Sequence, residues 1–175
     1  MADVIRGAYL LIRHLIEQGH RRIVFMCGGN DNDILRLKGY KKALKESAVP
    51  FDENLLIYAG EEIEGAYGFV EKVLKLKERP TAIFAINDLL AIGVIDGLEK
   101  KGLKVPGDIA LVGYDNIKWA AHKKFSLTTI DYPTKKLTQL SMKVLLDQIK
   151  GRANGPQQIM IKPRLIIRQS SRKGG

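Results

Sequence analysis

A single cysteine, Cys27, stands in 175 residues. That excludes an intrachain disulfide and suits a reducing cytoplasm. Cys27 lies in the apolar run IVFMC, where a thiol is expected to be buried and inert. No apolar run approaches the ~20 residues needed to span a bilayer. The opening MADVIRGAYLLIRHLIEQG is broken by Arg6, Arg13 and Glu17 and does not read as a secretory signal. Proline, glycine and serine never gather into a linker, so one principal domain is expected. Catalytic signatures are missing as well. His14, His20 and His122 share no metal-ligand spacing with one another or with Cys27. There is no G-x-S-x-G elbow and no Walker loop. The CGGN that follows the first apolar run lacks the three-glycine dinucleotide fingerprint. Neither enzymatic activity nor a metal or cofactor is expected.

What is present describes an ordinary globular protein. At 45% hydrophobic and 27% charged residues, the chain has enough apolar surface to fold and enough charge to remain dissolved. The net charge of +10 is uneven. From Asp131 onward ten Lys/Arg face two acids, while the first 130 residues carry 19 basic and 17 acidic ones. The basic end has no aromatic interleaving and no zinc-finger or RNA-recognition pattern. It reads as a solvated helix face and tail, or as a surface meeting an acidic partner.

Periodicity alternates between helix and strand. Ile5, Ala8, Tyr9, Ile12, Leu15 and Ile16 predict a helix over 4–18 that stops at Gly19. Residues 21–27 form the first predicted strand. A helix over 34–47, a strand over 54–58, a helix over 64–77 and a strand over 81–86 follow. The next helix starts at Asn87–Asp88 and ends at Gly102. Then come a strand over 109–112, a long loop through His122, a strand over 126–130 and a helix over 134–150. The tail 157–170 reads as two short strands around Lys162–Pro163. Strands separated by such helices imply right-handed βαβ units, hence a three-layer αβα fold around a parallel sheet. The helix over 134–150 is awkward. It follows a complete set of units, and its stripe of Leu137, Leu140, Val144, Leu145 and Ile149 needs a partner.

The stretch 109–116, IALVGYDN, organises the candidate site. An apolar strand runs into Gly113, expected to supply the turn, and Tyr114, Asp115 and Asn116 emerge at its carboxyl end. In open α/β sheets that edge binds ligands. Other strands send polar groups to the same edge: Asn30–Asp33 with Arg36 after the first, Glu61, Glu62 and the apolar Ile63 after the second, Asn87 and Asp88 after the third. A guanidinium, an amide and carboxylates converging there suit a polyol, because Arg donates in a fork, Asp accepts from hydroxyls and Asn does both. Each has a plainer role open to it. Asn87 or Asp88 can cap a helix. Asp115 can close an Asx turn. Arg36 can pair with Asp33 across one helical turn.

Five ordered segments, GHRRI, RLKGY, NDLLAIG, VPGDIALVGYDN and LTTIDYP, resemble the lactose-repressor (LacI/GalR) family of transcription regulators over nearly the whole chain. The resemblance implies a periplasmic-binding-protein-like core of two lobes. A small effector, often a sugar or a purine, binds between the lobes and alters the operator-DNA affinity of a homodimer. Some members respond instead to a protein co-regulator. The family's DNA-binding helix-turn-helix, its hinge and most of its first lobe have no counterpart here, so the chain resembles a C-terminal part of such a regulator. Residues 1–131 would form the effector-binding lobe, 132–156 a helix belonging to the first lobe, and 157–175 the return strands and tail. Carried over by position, the effector contacts would be Arg36, Asn87 and Asp115. Ile63 falls where an aromatic ring often stacks on the effector, so an aliphatic residue changes that contact. A solute-binding transport protein shares the fold and is the competing expectation.

Overall fold

The computed structural model describes residues 3–60, 62–152, 155 and 159–172. Helix α1 spans Val4–Glu17 and is capped by Asp3, whose carboxylate accepts from the Arg6 N–H at 2.9 Å. Its buried stripe runs through Ala8, Leu11, Ile12 and Leu15. Gly19, at φ 93°, ends it as the sequence predicts. Strand β1 is Ile23–Cys27, and α2 is Asp31–Glu46. The 3-10 turn Glu53–Leu55 leads into β2, Leu56–Tyr58. Then come α3 (Gly65–Leu74), β3 (Ala82–Phe84), α4 (Asp88–Lys100) and β4 (Ala110–Val112). The chain closes with β5 (Thr129–Asp131), α5 (Thr134–Ile149) and β6 (Arg164–Ile166).

Strands β2-β1-β3-β4 form a parallel sheet in that order. β5 continues it beside β4, with the Gly113 N–H donating to Thr128 O and the Asp115 N–H to Ile130 O. β6 then pairs antiparallel to β5. The chain moves one way from β1 to β2 and the other way from β2 to β3 and β4. Right-handed crossovers therefore put α2 on one face and α3 and α4 on the other. α1 packs against α2, and α3 against α4. The reversal of strand order falls between β1 and β3, which is where open α/β sheets hold ligands.

The core lies between the layers. Phe25, Phe84 and Tyr40 meet edge to face at 5.3 and 5.5 Å, and the Tyr40 hydroxyl donates to Ile23 O at 2.9 Å. Two expectations change. Among the described residues the tail holds one strand, Arg164–Ile166, where two were predicted; Ile159 and Met160 are irregular, and Gln157 and Gln158 lie outside the described residues. α2 starts at Asp31, three residues early, because an Asn30–Asp33 capping box satisfies its first turn. The stripe of α5 is not folded back onto the sheet: none of the helix's 16 residues is buried. Its Leu137, Leu140 and Val144, together with Ile159 and Ile161, line an open groove of about 240 Å³.

Candidate functional site

Because the strands are parallel, the loops after β1, β2, β3 and β4 share one edge. The β1 loop is built around a carboxylate. One oxygen of Asp33 accepts from the N–H groups of Gly28, Gly29 and Asn30 at 2.6, 2.8 and 3.4 Å. The Asn30 side chain accepts in return from the Asp33 N–H at 3.2 Å. The other Asp33 oxygen lies 3.4 Å from Arg36 Nη1. Both side chains are about nine-tenths buried, so this pair exceeds the exposed helical pairing considered from sequence. The guanidinium of Arg36 lies 4.8 Å above the Tyr114 ring, a cation–π contact that carries it across from α2 to the β4 turn. Its Nε is buried without a hydrogen-bond partner among the described residues.

The β4 turn carries Asp115 next to Tyr114, within reach of the guanidinium's charge. Burial pushes the Asp115 carboxyl up to about 6, and the positive charge of Arg36 opposes the rise. The turn itself is not made by Gly113, contrary to the expectation from sequence. The left-handed conformations belong to Asp115 (φ 109°) and Asn116 (φ 53°). Gly113 is required for space instead: a Cβ there would collide with the Asp88 carboxylate and with Leu127.

Asn87 takes the capping role, and Asp88 takes neither of the two roles left open. Asn87 is the N-cap of α4, its side chain accepting from the Leu90 N–H at 2.8 Å. Asp88 is fully buried and ties three segments together. Its carboxylate accepts from the Thr129 hydroxyl at 2.6 Å and from the Ile117 N–H at 2.9 Å, while its own N–H donates to Tyr114 O at 2.8 Å. Burial pushes this carboxyl up to about 7, against the two hydrogen bonds that favour the anion. Asp88 therefore positions the β4 turn that presents Asp115.

Arg36, Tyr114 and Asp115 are thus brought together, with Asn87 one residue from the Asp88 hub of the same turn. Ile63 is elsewhere on the edge: half-buried before α3, it leans on α4 at Gly93. Glu61 lies outside the described residues. Asn116, beside the site, donates to Asp131 at 3.1 Å and accepts from Arg168 at 2.8 Å, which locks the turn to β5 and the tail. The positioning roles of Asp33, Asp88 and Asn116 were not visible from sequence. The one signal for them was the density of Asx residues at strand ends. Among the described residues, no group of three His, Cys, Asp or Glu could hold a metal ion. No helix there is long and apolar enough to cross a membrane.

Known proteins resemble this chain in sequence and fold. The family model described as a periplasmic binding protein-like domain matches residues 12–171. The HTH-type transcriptional repressor PurR of Photorhabdus laumondii is 39% identical over 170 residues, 96% of this chain and 50% of that protein. PurR of Vibrio atlanticus is 34% identical over 166 residues, covering 94% and 50%. The chain spans about half the length of the curated relatives it matches. Among solved structures, a LacI-family transcriptional regulator from Enterococcus faecium with bound ribose superposes at a TM-score of 0.87. It is 34% identical, with 98% of this chain and 64% of that one covered. A complex of the transcriptional regulator CelR with cellobiose reaches 0.90 at 30% identity, covering 97% and 52%. The parallel sheet, the loops meeting at its switch point and a match running from α1 to the tail agree: the chain belongs to the periplasmic binding protein-like domain family, in the form carried by LacI-family transcriptional regulators.

Proposed function

We propose that this chain is the effector-binding lobe of a LacI-family repressor acting in the cytoplasm, and that it senses a small molecule without transforming it. The observation that carries the reading is Arg36, held over the ring of Tyr114, the residue before Asp115, at the edge where strand order reverses. The guanidinium would donate to hydroxyl or carbonyl oxygens of the effector, Asp115 would accept from paired hydroxyls, and Asn87 would contribute an amide N–H. The ribose and cellobiose of the related structures make a sugar or sugar derivative the first class to test, and the PurR relatives add purines.

Residues 1–131 and the returning 157–175 form this lobe. α5 is the piece given to a first lobe, which accounts for an apolar stripe with no buried residue. Effector binding would shift the angle between the lobes of a homodimer and so its grip on operator DNA, which requires different contacts in the two states. A thermal-shift screen of sugars, sugar derivatives and purines on the full-length regulator tests the reading. One class should raise the melting temperature, and Arg36→Ala should abolish the rise. Equal rises in both proteins would refute the site.

A further inference from the structure

The carboxyl edge of the sheet also carries apolar side chains that the site described above does not use. From α1 to the β4 turn, four large apolar side chains are exposed among the described residues: Ile34, Tyr58, Tyr67 and Leu89. Tyr67 is accounted for by α4, because its hydroxyl donates to Asp96 at 2.6 Å and Lys100 Nζ lies 4.3 Å from the centre of its ring. The other three stand on one edge: Ile34 in the first turn of α2, Tyr58 at the end of β2 and Leu89 in the first turn of α4. Single exposed apolar residues are ordinary on any surface, but these share the edge where open α/β sheets bind ligands. Tyr58 is the most firmly placed of them. It ends β2 in register with Cys27, and its carbonyl accepts from Lys72 Nζ at 2.9 Å. Its ring rests against Gly29, where a Cβ would come within 3.1 Å of it, yet the residue is 61% exposed.

The same Gly29 donates its N–H to Asp33 at 2.8 Å, and Asp33 is paired with Arg36. One loop therefore joins the tyrosine ring to the guanidinium, whose Nε is buried without a partner among the described residues. Ile63 cannot play this part, since it leans on α4 at Gly93. We infer that Tyr58 supplies the ring on which the effector stacks, the contact that Ile63 leaves unmade. The inference rests on the effector reading above and deepens it. The effector then has a flat ring with an apolar face, either the C–H face of a sugar or the π face of a base. Its polar edge goes to Arg36. A tyrosine suits the task, because it offers a large rigid area and loses little rotamer freedom on binding.

The test is titration calorimetry of the full-length regulator with D-ribose, cellobiose and inosine, on wild type, Tyr58→Ala, Tyr58→Phe and Tyr67→Ala. For the probe that binds, Tyr58→Ala should weaken affinity roughly three- to tenfold, and Tyr58→Phe, which keeps the ring, by less than about twofold. Tyr67→Ala, at an exposed tyrosine engaged by α4, should also stay within about twofold. Because Tyr58 is largely exposed, ligand-free Tyr58→Ala should melt within about 2 °C of the wild type, which separates a lost contact from a lost fold. If Tyr58→Ala binds as tightly as the wild type while Arg36→Ala does not, the inference is overturned and the effector reading stands. A loss as large in Tyr58→Phe as in Tyr58→Ala would also overturn it, since the hydroxyl and not the ring would then make the contact. If none of the three probes binds, the effector reading fails for these ligands and the inference falls with it.

Discussion

Asp115 is held in a conformation that few side chains adopt, φ 109°, and its carboxyl is partly desolvated. Both features cost stability, and a binding role gives them a reason. Asp115→Gly should therefore stabilise the fold by about 1 kcal/mol in chemical denaturation, as glycine accepts positive φ. The same change should weaken effector binding by about 1–3 kcal/mol in a titration, the worth of a lost charged hydrogen bond. Asp88 makes a pH prediction. Its folded pKa, raised to about 7, exceeds the ordinary carboxylate value, so its contribution is most favourable below about pH 4 and is lost as pH rises through 7. Denaturation of the wild type and of Asp88→Asn at pH 5 and pH 8 should show an extra loss toward pH 8 in the wild type alone. Gly113→Ala should cost about 1–3 kcal/mol, since its methyl group must displace Asp88 or Leu127. At this scale the sequence was partly legible. Arg36, Asn87 and Asp115 stand out as polar residues ending apolar runs. The hub role of Asp88 was hidden, because its partner Thr129 lies 41 residues away and Asn87 beside it carries the same capping chemistry.

Among the elements, β1, β3 and β4 were readable as apolar runs because they are buried on both faces. α1 was readable from its stripe, and α4 from Asn87 and Gly102. The early start of α2 was missed: the loop looked simply polar, and only the reciprocal Asn30–Asp33 bonds turn it into a helical turn. The tail strand after Lys162–Pro163 was readable, but its antiparallel pairing with β5 was not, since no local pattern announces that contact. α5 is the element whose stripe is legible and whose partner we propose to be a first lobe. With none of its residues buried, Leu145→Ala should change the stability of this chain by less than about 0.5 kcal/mol. Phe84→Ala, in the sheet core, should cost about 3–5 kcal/mol, both variants being measured by chemical denaturation. If Leu145→Ala were as damaging as Phe84→Ala, α5 would pack on this lobe after all.

Across the whole molecule, the strand order β2-β1-β3-β4 fixes where anything can bind. The reversal falls between β1 and β3, and the cation–π contact with Tyr114 ties the guanidinium that α2 supplies to the turn that carries Asp115. The fold class was legible because alternating helices and strands leave few other arrangements. The direction of the edge was legible too, but its geometry was not, since it is set by buried pairs distant in sequence. The central claim is that this edge is one wall of an effector cleft. It is tested most directly by the thermal shift that a bound effector gives to full-length wild-type and Asp115→Ala protein, side by side. At 100 times its dissociation constant an effector stabilises by about 2.7 kcal/mol, a shift of several degrees for a domain of this size. The shift should appear in the wild type and largely vanish in Asp115→Ala. An equal shift in both proteins would place the effector somewhere other than the edge that Arg36 and Asp115 define.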